Sequence, residues 1–79
     1  KYTINGYVKD SLSGETLIGA NITLLNESRG VQTNAYGFFS ITLPRGSYTL
    51  LINFVGYGSK VLPIDSSMAG VPLQILLSQ

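Results

Sequence analysis

Apolar and polar residues alternate with a period of two along most of this chain. Ile4, Gly6 and Val8 alternate with Thr3, Asn5, Tyr7 and Lys9, and Ala20, Ile22 and Leu24 alternate with Asn21, Thr23 and Leu25. The same rhythm sets Phe39, Ile41 and Leu43 against Phe38, Ser40 and Thr42. It sets Tyr48, Leu50, Ile52 and Phe54 against Ser47, Thr49, Leu51 and Asn53, and Val71, Leu73, Ile75 and Leu77 against Pro72, Gln74, Leu76 and Ser78. Period-two alternation puts the apolar members of each run on one face of a strand, as a sheet packed on a core from one side requires. No segment has helical spacing.

Turn signals separate the runs. They are Asp10-Ser-Leu-Ser-Gly14, Asn26-Glu-Ser-Arg-Gly30, Asn34-Ala-Tyr-Gly37, Pro44-Arg-Gly46, Gly56-Tyr-Gly58 and Asp65-Ser-Ser-Met-Ala-Gly70. Gly supplies positive φ, Pro presets φ, and Asn, Asp and Ser bond locally to the backbone. The pattern predicts seven strands, at 2–9, 16–25, 31–34, 38–43, 47–55, 58–63 and 71–78, the second divisible into two pieces near Gly19. Short strands at this spacing predict an all-β sandwich or barrel. Phe39, Tyr48 and Phe54 fall on inward positions and are expected in its core.

Composition narrows the picture. With 79 residues the chain is one domain, 1–79, and 44% hydrophobic against 11% charged residues favours folding over disorder. The net charge is +1, and Lys1, Lys9, Arg29, Arg45 and Lys60 are scattered. Nucleic-acid binding relies on clustered Lys and Arg, so no nucleic-acid partner is expected. There is no Cys, which excludes disulfides and thiolate metal sites. The longest apolar run, Leu50 to Val55, is broken by Asn53 and far too short for a membrane span. The chain starts at Lys1 with neither a start methionine nor a signal-peptide pattern, so a fragment of a larger protein is expected.

Catalytic chemistry is scarce. Histidine is absent, which removes the usual general base and the commonest metal ligand. Lys9 and Lys60 sit at outward strand positions and read as solvated. Of the acids Asp10, Glu15, Glu27 and Asp65, the first two flank one turn, where Asp10 reads as a turn cap and Glu15 as solvated. A calcium loop would need six to eight oxygens there. Gly56-Tyr-Gly58 lacks the third Gly and the helix of a dinucleotide fingerprint. Two N-x-S/T sequons start at Asn21 and Asn26, and matter only in a eukaryotic secretory route. No enzyme, cofactor or metal is expected. What remains is surface: Tyr7 and Phe38 at outward positions, with Leu51 beside them, form a possible contact face, with Leu25 and Leu76 nearby.

The ordered motifs Ile4-Asn-Gly-Tyr-Val-Lys-Asp10, Gly14-Glu-Thr-Leu-Ile-Gly-Ala-Asn-Ile22, Thr33-Asn-Ala-Tyr-Gly-Phe-Phe39, Leu43-Pro-Arg-Gly-Ser-Tyr48 and Gly56-Tyr57 run through the whole chain. In this order they resemble the carboxypeptidase-regulatory-like domain. That domain stands at the N-terminus of many SusC-like TonB-dependent outer-membrane transporters of Bacteroidetes, follows some metallocarboxypeptidases, and occurs in surface proteins. The resemblance implies a seven-stranded, transthyretin-like (prealbumin-like) Greek-key β-sandwich. It implies that Gly6 permits a bend or a close backbone approach, that Asn34 and Gly37 bracket a tight turn, and that Pro44 and Gly46 shape the next. It also implies that Gly56 ends a strand, with Tyr57 packing over the sandwich end.

In a transporter, the resemblance implies a non-catalytic domain at the periplasmic face of the outer membrane. Its partner would be the TonB C-terminal domain, the plug or barrel, or another envelope protein. An exposed sheet edge could accept a partner strand. Asp10-Ser-Leu12 is also similar to the three-residue O-glycosylation signal of Bacteroidetes, with Ser11 as acceptor. The alternatives are a structural module beside a metallocarboxypeptidase, and a carbohydrate-binding β-sandwich of a surface protein.

Overall fold

The period of two becomes seven strands in the computed structural model, which describes residues 1–79. They are β1 (Tyr2–Asp10), β2 (Asn21–Leu24), β3 (Gly30–Gln32), β4 (Phe38–Leu43), β5 (Tyr48–Asn53), β6 (Lys60–Ile64) and β7 (Leu73–Leu77). They form a three-stranded sheet, β4–β1–β7, and a four-stranded sheet, β3–β2–β5–β6. β1 runs antiparallel to β4 and parallel to β7, and every pairing in the other sheet is antiparallel. The chain stays within one sheet only at the β2–β3 and β5–β6 hairpins and otherwise crosses between sheets.

The two inner faces enclose one cluster of 14 buried hydrophobic residues. Ile4, Val8, Ile41, Leu43 and Ile75 of the first sheet meet Ile22, Leu24, Leu50, Ile52 and Ile64 of the second. Full burial of each such side chain is worth about 1.5–3 kcal/mol, which makes this layer the main stabilising element of an all-β sandwich. Phe39 lies in it as expected, whereas Tyr48 and Phe54 are half-buried and pack against its rim.

The second predicted strand is broken at Gly19, which adopts φ +81°. Its first part keeps only an isolated bridge between Thr16 and Lys9, and the true strand starts at Asn21. The last strand starts at Leu73, two residues after Val71, and Val71 is exposed. One short 3-10 turn, Ser66–Met68, was not expected; the Asp65 carboxylate caps it by accepting from the Ser67 N–H at 2.9 Å. No helix is long and apolar enough to cross a membrane.

Gly6 faces Leu73 across the parallel pairing, and a Cβ there would collide with the Leu73 carbonyl oxygen and lie 2.9 Å from its Cβ. This is the close backbone approach expected of that glycine. Asn34 and Gly37 close the β3–β4 turn. The Asn34 side chain accepts from Tyr36 N–H (2.8 Å) and Phe38 N–H (3.1 Å), and Gly37 takes φ +71°.

All four sheet edges are obstructed. β3 has three residues. The Thr49 carbonyl accepts from Leu25 N–H on the β2 side, so its register partner Pro63 in β6 turns its missing N–H to the free edge. On β4, Asn34 caps Phe38, and Arg29 Nη2 donates to the Thr42 carbonyl at 2.5 Å. On β7, Gly58 N–H and Lys60 Nζ occupy the Ser78 and Leu76 carbonyls, at 2.9 and 3.4 Å.

Candidate functional site

The structure divides the expected contact face. Tyr7 and Phe38 are register partners on the outer side of the three-stranded sheet, with ring centroids 5.2 Å apart and planes at 59°. Lys9 Nζ lies 5.8 Å from the Tyr7 centroid, and the Thr3 and Thr42 hydroxyls on the same side are 2.8 Å apart. Asn5, the neighbour of Tyr7 on this face, has a buried side-chain oxygen without a partner. Leu51 instead faces outward from the four-stranded sheet, flanked by Thr23 and Val61. The three residues therefore lie on opposite sides of the sandwich. Alternation separates inward from outward positions but says nothing about which sheet a strand joins.

A second cluster forms at one end of the sandwich, where β1 stops. Asp10 ends that strand with its carboxylate largely shielded. Oδ1 accepts from the backbone N–H groups of Leu12 (2.7 Å) and Ser13 (2.9 Å), the turn cap expected of it. Oδ2 accepts from the Tyr57 hydroxyl at 2.6 Å. The Tyr57 bond, followed by the two backbone donors, holds the Asp10 carboxyl below its ordinary range, and the same bond pushes the Tyr57 phenol up. Asp10 is thus a fixed anion that organises a loop.

Gly56, at φ +85°, turns the chain so that the Tyr57 ring covers this end. The ring lies 5.7 Å from that of Phe54 and packs against the core. The Asp10–Tyr57 pair escaped sequence reasoning because nothing local links residues so far apart. Ser11 is exposed, its hydroxyl 2.7 Å from that of Ser78, and Glu15 is exposed as expected.

The remaining candidates stay dispersed. No three of the acidic residues come together. An open groove of about 580 Å³ between the β2–β3 turn and the ends of β5 and β6 is lined by Glu27, Tyr48, Pro63 and Asp65 among others. Asp65 is committed to Ser67, whose hydroxyl and N–H bonds lower its pKa. Asn21 pairs with Gln32 on β3, and Asn26 sits in a left-handed turn at φ +68°.

These features fit what is found by comparison with known proteins. The family model of the CarboxypepD_reg-like domain matches residues 4–79. A TonB-dependent receptor, SusC of Bacteroides thetaiotaomicron, is 33% identical over 66 residues, covering 84% of this chain and 6% of the receptor. The chain thus spans a small part of that relative's length. The motif order, the two-sheet fold and the match over nearly every residue agree, and the chain belongs to the carboxypeptidase-regulatory-like domain family.

Proposed function

We propose that this is a non-catalytic accessory domain of a TonB-dependent outer-membrane nutrient transporter, held on the periplasmic side and acting by protein contact. The observation that carries this reading is the alignment with SusC over 84% of the chain. Seven strands in sheets of three and four, with repeated crossings between them, support a transthyretin-like Greek-key sandwich. The partner is the plug or barrel, TonB's C-terminal domain or another envelope protein. Obstructed edges favour contact through loops and faces over addition of a partner strand, which needs a row of free N–H and C=O groups.

Fractionation of cells making the whole parent protein tests the placement. The domain is expected with the outer membrane and resistant to added protease until that membrane is permeabilised. Recovery in the cytosol, or digestion on intact cells, would contradict it.

A further inference from the structure

The sandwich has two unlike ends. One carries the loops 11–20, 33–37 and 54–59 together with Ser78 and Gln79; the other carries Lys1 and the loops 25–29, 44–47 and 65–72. The three most exposed large hydrophobic residues, Leu12 (97%), Val55 (87%) and Tyr36 (74%), all lie in loops at the first end, and exposed Ile18 joins them. These loops contain a single charged residue, Glu15, with Asp10 and Lys60 at the strand ends beside them and Asp10 turned to Tyr57, whereas the opposite end presents Lys1, Glu27, Arg29, Arg45 and Asp65.

The apolar loops are held together. Gly19 N–H donates to the Thr33 carbonyl at 3.1 Å, Gly58 N–H donates to Ser78 at 2.9 Å, and Tyr57 borders the grooves on both sides of Glu15. Apolar and aromatic tips with charge depletion are the composition of an interface centre.

The last two residues are fastened to this same end. Ser78 bonds to Ser11, and Gln79 Nε2 donates to the Tyr57 hydroxyl at 3.3 Å. A chain continuing past Gln79 therefore leaves from this end, beside the edge strand β7 and the Leu12 and Tyr57 loops. In the receptor relative, the matching part is only 6% of the polypeptide. We propose that the end formed by Leu12, Ile18, Tyr36, Val55 and Tyr57 docks against the body of the same polypeptide that follows Gln79. This rests on the transporter reading for the nature of that body.

Photo-crosslinking in the full-length protein, in its own membrane, tests the docking. p-Benzoyl-phenylalanine replaces Leu12, Val55 or, at the far end, Val71. Intrachain products mapping beyond Gln79 are expected from Leu12 and Val55, with several-fold lower yield from Val71. Products joining a second copy or a separate protein, no product from Leu12 and Val55, or equal yield from Val71 would overturn the proposal. TonB-dependent uptake is measured on the same cells. Intrachain crosslinks without TonB-dependent uptake would sink the transporter reading and leave the docked end standing. TonB-dependent uptake with crosslinks only to other proteins would do the reverse.

Discussion

The Tyr57 hydroxyl donates to Asp10 Oδ2 at 2.6 Å, joining two residues 47 positions apart. The bond ties the end of β1, in the three-stranded sheet, to the loop that leaves β5 in the four-stranded one. Through Oδ1 the same carboxylate fixes the loop bearing Leu12. One pair thus closes the sandwich end and sets the geometry of the loops proposed to dock.

The pair makes stability depend on pH in a defined direction. The folded Asp10 pKa is depressed, so its contribution is present above the unfolded carboxylate value of about 3.9 and is lost as pH falls through the folded value. The folded Tyr57 pKa is raised, so its contribution is present below about 10 and is lost as pH rises through the folded value. Tyr57→Phe removes the largest influence on Asp10. Urea unfolding should show the wild type ahead of Tyr57→Phe near neutrality, with the gap narrowing well below about pH 3.9. A gap of constant size across that range would refute the assignment.

Thr33 is buried in the loop after β3, where its hydroxyl accepts from Ala20 N–H (2.8 Å) and donates to the Leu17 carbonyl (2.6 Å). Thr33→Val keeps the shape and strands both backbone groups. The expected loss is about 1–3 kcal/mol by denaturant midpoint, whereas Thr33→Ser, which keeps the hydroxyl, should retain most of the wild-type stability. Equal behaviour of Val and Ser would show that the hydroxyl contributes nothing.

Gly6→Ala drives a methyl group into the Leu73 backbone. Overpacking of this kind costs about 1–3 kcal/mol. Hydrogen exchange should quicken along the β1–β7 pairing before β2–β5. Unchanged protection would mean that the strands separate freely at this point.

The outer-face division predicts a pattern of coupling. Tyr7 and Phe38 should couple by about 0.5–1.5 kcal/mol in a double-mutant cycle on folding, whereas Leu51, on the far side, should add to either within about 0.3–0.5 kcal/mol. Strong coupling of Leu51 to Tyr7 would put them on one face after all.

Much of this architecture was legible in the alternation. Ile4 and Val8, or Leu50 and Ile52, must share a face, because a one-residue slip would expose them all. The family motifs anticipated Gly6, Gly37 and Gly56. What alternation omits is pairing: nothing in Tyr7, Phe38 and Leu51 says that two sheets carry them. Val71 kept the rhythm of Leu73 and Ile75, yet lies beyond the ladder that buries them. The turn at Ser66–Met68 is too short to create a period. Of the apolar loop tips, Leu12 and Tyr36 fall in turns that the sequence marks, whereas Ile18 and Val55 fall at positions where alternation predicts strand. Their gathering at one end depends on strand order, which no local pattern records.

If the domain serves a TonB-dependent transporter by contact, its loss must show in transport. Uptake of the parent transporter's nutrient tests it most directly, measured in cells carrying the intact gene or one lacking residues 1–79, at matched outer-membrane abundance. The shortened protein should reach the membrane, with TonB-dependent uptake well below that of the intact one. Equal uptake at equal abundance would contradict it.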